Sequence, residues 1–242
     1  MYRWLRIAFR ALFFTGILVI PCAAIADVDM SVMPKLIVLS NSNRVATVTL
    51  QNRSPDPTLF QVFTLAWTQD GSNKLEKTDD LIAMPRVFYI AGLGAQTIRV
   101  AMQGNADPKR ERAYRLIVRA VPTKLNPLHV GIRIALGMAL PLYIEPDAAL
   151  VSPKLRWSMK PAGQSHVRIT VENVGEKHAL ITRLRLTDEK GRALRGPDMP
   201  IVLAGQSISA VFTLPSSDSH HVNVSARVDG TPQQDEVAVG SP

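Results

Sequence analysis

The side chains able to do chemistry are sparse, and their spacing argues against a reaction centre. Histidines occur at His129, His166, His178, His220 and His221, with no spacing of the kind that sets imidazoles around a zinc ion. His220 and His221 are neighbours, and in a strand neighbours face opposite ways, so they do not form a joint ligand. The only cysteine is Cys22. Neither a Gly-x-Ser-x-Gly elbow nor a glycine-rich phosphate loop occurs. The expectation is a protein that is not an enzyme, with no metal, no cofactor and no small-molecule substrate. Trp67 and Trp157 have no interleaved basic and aromatic residues around them, so they read as core or domain-joint residues rather than stacking platforms.

One stretch has chemistry of another kind. From Val130 to Ile144 one parity carries Ile132, Ile134, Leu136, Met138 and Leu140, and the other Gly131, Arg133, Ala135, Gly137 and Ala139. One face is bulky and the other small. Periodicity allows two roles. It could be a core strand whose large side chains fill a sandwich. It could equally be an edge strand lending its apolar row to another protein by strand addition, with ladder bonds for affinity and alternate side chains for register.

The elements that must hold such a strand are themselves strands. Apolar residues recur at every second position, and clusters such as Ser54-Pro55-Asp56-Pro57, Gln69-Asp70-Gly71 and Glu189-Lys190-Gly191 separate the runs. Strands are expected at 28–39, 44–52, 59–68, 80–90, 96–102, 112–121, 130–144, 154–159, 166–173, 178–187, 199–203, 207–214 and 221–228. No run carries a capped stripe of period 3.6, so the fold class is all-β. Glu145-Pro146-Asp147 marks a break. It divides a first domain at 27–145 from a second at 149–230, with a frayed polar tail at 231–242.

The 242 residues are 46% hydrophobic and 20% charged, with a formal net charge of +8. Part of that charge belongs to the N-terminus. Arg3, Arg6 and Arg10 flank an apolar run from Ala11 to Ile20, and Ala24-Ile25-Ala26 supplies small residues before Asp27, which reads as a cleavable signal peptide over 1–26. The run is shorter than the roughly 20 residues of a membrane span. Pro21 stands before Cys22, where lipidation wants a small residue. Removing 1–26 takes away three arginines and no acid, leaving 25 basic and 20 acidic side chains, a net +5, and no cysteine. A nucleic-acid partner is therefore not expected. An exported chain without disulfides must be held by its cores alone.

Several landmarks in order along the chain carry a resemblance. They are Thr47-Val-Thr-Leu-Gln-Asn52, Ala83-Met-Pro-Arg-Val-Phe88, Gln96-Thr-Ile-Arg-Val100, Glu111-Arg-Ala-Tyr-Arg-Leu-Ile-Val-Arg-Ala-Val-Pro122, Ile134-Ala-Leu-Gly-Met-Ala-Leu-Pro-Leu-Tyr-Ile144, Val171-Glu-Asn-Val-Gly and Val202-Leu-Ala-Gly-Gln-Ser207. In these the chain resembles the periplasmic pilus chaperones of chaperone–usher pathways, the PapD-like family, in its archaic or spore-coat-like branch. The resemblance implies two immunoglobulin-like β-sandwich domains in an L-shaped arrangement, periplasmic location, pilus or fimbrial subunits as partners, and delivery to an outer-membrane usher. It also implies that a donor strand near 130–141 enters the subunit's groove, with Ile132, Ile134, Leu136 and Met138 as the groove-filling residues.

The family's better-known carboxylate anchors, an Arg on the first strand and a Lys near the end of the donor strand, correspond here to Leu36 and Pro141, which cannot bind a carboxylate. The family's interdomain Arg corresponds to Ile144, while its Glu partner corresponds to Glu111. A subunit carboxylate still needs charge-assisted donors, and an Arg fork suits both its oxygens. Arg115, Arg86 and Arg133 are the candidates. The alternative function is a structural immunoglobulin-like surface protein, an adhesin or pilus component. Such a subunit normally carries its donor strand as a short N-terminal extension, whereas the apolar strand here is internal and a further domain follows it.

Overall fold

The computed structural model describes residues 29–121, 137–146, 152–215 and 221–238. The expected signal peptide and residues 122–136 lie outside them. Alternation in the sequence becomes strands throughout the described residues. In the first half these are β1 (Met30–Met33), β2 (Ile37–Leu39), β3 (Val45–Asn52), β4 (Thr58–Gly71), β5 (Asn73–Lys77), β6 (Leu81–Met84), β7 (Val87–Ile90), β8 (Ala95–Met102), β9 (Arg112–Val121) and β10 (Gly137–Ile144). In the second they are β11 (Leu155–Pro161), β12 (His166–Asn173), β13 (Ala179–Asp188), β14 (Ile201–Val202), β15 (Ser207–Thr213), β16 (His221–Val228) and β17 (Thr231–Ala238).

The fold is two immunoglobulin-like β-sandwiches. In the first, the sheet β1-β3-β8-β6 faces β4, β9, β10 and β2 across a core that includes Leu50, Phe60, Ile98, Leu116 and Leu142. In the second, β14-β13-β16-β17 faces β11-β12-β15 around Met159, Ile169, Val171 and Val224. Burying each such side chain stabilises the fold by roughly 1.5–3 kcal/mol, which offsets chain entropy without a crosslink. β15 pairs in parallel with the end of β4 through Ser207–Asp70 and Ile208–Gly71. One sheet, β11-β12-β15-β4-β9-β10-β2, with β5 and β7 also on β4, therefore runs through both sandwiches.

Each sandwich ties its turns with a fully buried asparagine. Asn52 Nδ2 donates to the carbonyls of Asp56, Ile90 and Ala91, and its Oδ1 accepts from Ser54 N. Asn173 Nδ2 donates to the carbonyls of Lys177 and Val202, and its Oδ1 accepts from Lys154 N and Gly175 N. A buried amide is tolerable when its donors and acceptor are all occupied.

The structure departs from the expected strands in three ways. Two single strands, 28–39 and 80–90, are each split at a proline, Pro34 and Pro85, and the two pieces join opposite sheets. Proline has no N–H to continue a ladder, so the chain changes partners there. β5 was not expected because its Asn-Lys-Leu-Glu-Lys sequence buries no face and exists as a hairpin on β4. The expected polar tail is likewise corrected. Thr231–Ala238 is the strand β17, joined to β16 by Asp229-Gly230, both at positive φ (49° and 83°). Asp-Gly is a strong signal for a tight hairpin, and pairing rather than burial forms this strand.

Candidate functional site

β10 is held unequally along its length. On one side β9 pairs with all of it, from Gly137–Arg119 to Ile144–Arg112. On the other, β2 pairs in parallel with Leu142, Tyr143 and Ile144 only. Among the described residues, the edge from Gly137 to Pro141 has no strand beside it. The bulky parity begins at the core rim with Met138, which is partly buried, and continues as the buried Leu140, Leu142 and Ile144. The small parity, Gly137 and Ala139, is exposed. Met138 thus packs against the first core. Ile132, Ile134, Leu136 and Arg133 lie outside the described residues.

The outer face of the same sheet carries a row across three strands, Leu65 on β4, Arg115 on β9 and Pro141 on β10. The neighbouring row is Phe63, Ile117 and Ala139. Arg115 lies over an indole, its Cζ 3.6 Å from the Trp67 ring centroid. Burial lowers the pKa of its guanidinium, while the nearby Tyr143 opposes that shift. No carboxylate lies within ion-pair distance of Arg115 among the described residues. Arg115 is thus a half-buried cation on an aromatic platform beside an apolar row.

The other candidates are placed apart from it. Arg86 is exposed and sits in the link between β6 and β7, where its carbonyl accepts Val62 N at 2.8 Å, so β4 separates it from Arg115. The Ile37–Leu142 pairing sets Leu36 beside Pro141. Leu36 and Pro141, the two uncharged residues that the resemblance aligns with carboxylate anchors, are therefore neighbours, next to Arg115. Arg119 is engaged with Gln61 Oε1 through Nε at 2.9 Å and Nη2 at 2.6 Å.

Beyond Trp67 the face closes against the second sandwich. Trp67, Tyr143 and Leu203 form a small apolar cluster with Ala113 and Ile201. The buried Gln69 side chain crosses the joint, donating to Ile201 O at 3.0 Å and accepting from Leu203 N at 2.8 Å. Glu111, whose side chain is 1% exposed, meets His178 Nδ1 at 2.7 Å and accepts from His178 N at 3.1 Å. The imidazole stacks on Tyr143 with centroids 3.9 Å apart. Burial, reinforced by Glu111, pushes the Tyr143 phenol up to about 12. Arg110 covers Gly205 (φ 65°), where a Cβ would come within 2.3 Å of Nη1. Ile144 is core, and the acid at Glu111 finds His178 instead of an arginine. His178 and Gln69 escape sequence reasoning because their partners are 67 and more than 130 residues away.

Among the described residues there is no cluster of three or more metal-ligating side chains, and no helix long and apolar enough to cross a membrane. No curated protein matches the sequence. Solved structures share the fold. A chain of the CsuC–CsuE chaperone–tip adhesion subunit pre-assembly complex, from the archaic chaperone-usher Csu pili of Acinetobacter baumannii, is 19% identical with a TM-score of 0.65, over 88% of this chain and 100% of that one. The E. coli chaperone DraB is 17% identical with a TM-score of 0.59, over 88% and 97%. The Salmonella enterica SafA pilin–SafB chaperone complex gives 15% and 0.58, over 87% and 96%. Residues 29–150 match the model of the pili and flagellar-assembly chaperone family, PapD N-terminal domain. With half of its length inside that match and both sandwiches in the fold of such chaperones, the chain belongs to the PapD-like family of pilus chaperones.

Proposed function

We propose that this protein is a periplasmic chaperone, exported by residues 1–26, that holds pilus or fimbrial subunits by donor-strand complementation and delivers them to an outer-membrane usher. The observation that carries this reading is β10, locked to β9 along its length yet, among the described residues, without a strand on its other edge from Gly137 to Pro141. A strand fixed at one end and open along one edge can add to a subunit's sheet through its free N–H and C=O groups. Ile132, Ile134 and Leu136 then enter the subunit's groove, with Met138 where that row meets the first core, 27–145 as the donating domain and the second domain running from 149 through β17. Arg115, half-buried and without a carboxylate partner among the described residues, leads as the anchor for the subunit's C-terminal carboxylate. Arg86 and Arg133 are the secondary candidates. Binding of this kind involves no turnover.

Co-expression with the subunits of its own assembly system should yield a stoichiometric complex from a periplasmic extract, with the subunits protected from proteolysis. Arg115→Gln should weaken capture by roughly 2–5 kcal/mol if the pair is buried and much less at a rim, with the melting temperature of the free protein unchanged. Subunit levels that do not respond to deletion of the chaperone would refute the reading.

A further inference from the structure

We infer that Asn73 is a positioning residue that holds the Trp67 platform under Arg115 and makes the placement of that arginine depend on docking of the two sandwiches. The inference rests on the reading of Arg115 as a carboxylate anchor. Asn73 opens β5 at the tip of the β4–β5 hairpin and is exposed. Its Oδ1 nevertheless accepts from two buried side chains at once, Trp67 Nε1 at 2.9 Å and Gln69 Nε2 at 3.0 Å. Gln69 is the side chain that crosses to Ile201 O and Leu203 N of the second sandwich.

A short chain of contacts therefore runs from Arg115 through the Trp67 ring to Asn73, then through Gln69 to the second sandwich. An indole only 4% exposed has one N–H to place, and the acceptor it finds sets the tilt of the ring. The guanidinium lies on that ring, so the tilt sets where the fork points. Without the Asn73 acceptor the Trp67 N–H is orphaned, while Gln69 keeps its bonds to Ile201 O and Leu203 N, so the ring can turn without the amide.

The test is a mutant cycle read on a co-expressed pilus subunit and on Trp67 emission. Asn73→Ala should speed release of the subunit by roughly two- to tenfold, the range covered by the net contribution of a hydrogen bond. The melting temperature should fall only modestly, since a single buried N–H loses its acceptor at the tip of an exposed hairpin. Asn73→Asp, which keeps an acceptor, should restore slow release. In an Arg115→Gln background Asn73→Ala should add nothing, since both changes act on the same contact. With Trp157→Phe leaving Trp67 as the single tryptophan beyond residue 26, emission should change in Asn73→Ala and return in Asn73→Asp. Equal losses from Asn73→Ala in the parent and in Arg115→Gln would overturn the inference. If Arg115→Gln itself leaves capture intact, the anchor reading fails. Trp67 emission then decides alone, a change in Asn73→Ala supporting the positioning role and no change overturning it.

Discussion

β17, the last strand of its sheet, and β10, which β2 covers only over Leu142–Ile144, present their open edges with opposite chemistry. β17 reads Thr-Pro-Gln-Gln-Asp-Glu-Val-Ala, and of these only Val237 is buried. Proline and charge along an outer strand discourage a second chain from pairing there. β10 reads Gly-Met-Ala-Leu-Pro-Leu-Tyr-Ile and carries no charge. Its open part presents glycine and alanine outward and Met138 at the core rim. One molecule thus blunts one edge with proline and charge and leaves another uncharged over Gly137–Pro141, the segment on which the proposed donor role rests. The difference also lies within β10, whose far end is buried beneath β2 and the joint.

The largest expected effects break that contrast directly. Leu140→Asp places an unpaired charge in the first core and should unfold the free protein in a circular dichroism melt. Ile134→Asp, on the same parity but nearer the start of the donor stretch, should abolish subunit capture while the free protein melts as the parent does. An Ile134 variant that unfolds like the Leu140 variant would mean the whole stretch is core and the donor reading is wrong.

A smaller effect is expected from making β17 resemble β10. Gln234→Val together with Glu236→Val removes polar cover from the second sandwich's edge, at about 0.2–1 kcal/mol per cross-strand pair. Sedimentation should show concentration-dependent association with subunit capture unchanged. If the variant stays monomeric, edge polarity is not what keeps β17 unpaired.

The smallest effect concerns the buried end of β10. The Tyr143 phenol is pushed up to about 12 from its ordinary 10, first by burial and then by Glu111. The folded protein therefore favours the neutral phenol. Its contribution to stability is complete below pH 10 and is lost as the pH rises through about 12. Absorbance titration of the phenols should show one fewer late-titrating group in Tyr143→Phe, and that variant should lose less stability between pH 10 and 12 than the parent.

Most strands were legible because their alternation is strong, as in β8, where Ile98, Val100 and Met102 face in while Thr97 and Arg99 face out. Where alternation was absent, as in β5 and β17, hairpin pairing formed the strand and the pattern was silent. Arg115 was a candidate from its residue type and position, but so were Arg86 and Arg133. Only the stacking on Trp67 and the lack of a carboxylate partner single it out among the described residues.

Local sequence determined the period of the strands, the turns at Asn, Asp, Gly and Pro, and the two cores, because side-chain direction in a strand follows from the backbone. It also determined that the stretch from Val130 to Leu140 has one bulky and one small parity. Tertiary structure decided which edge of that strand is covered, since this depends on where Pro34 sends the preceding chain and on a β2 that reaches only Leu142–Ile144. It decided too that Glu111 meets His178 and that Gln69 clasps the second sandwich. Such contacts join residues far apart in the chain, and no local period records which distant group will fill a buried donor or acceptor.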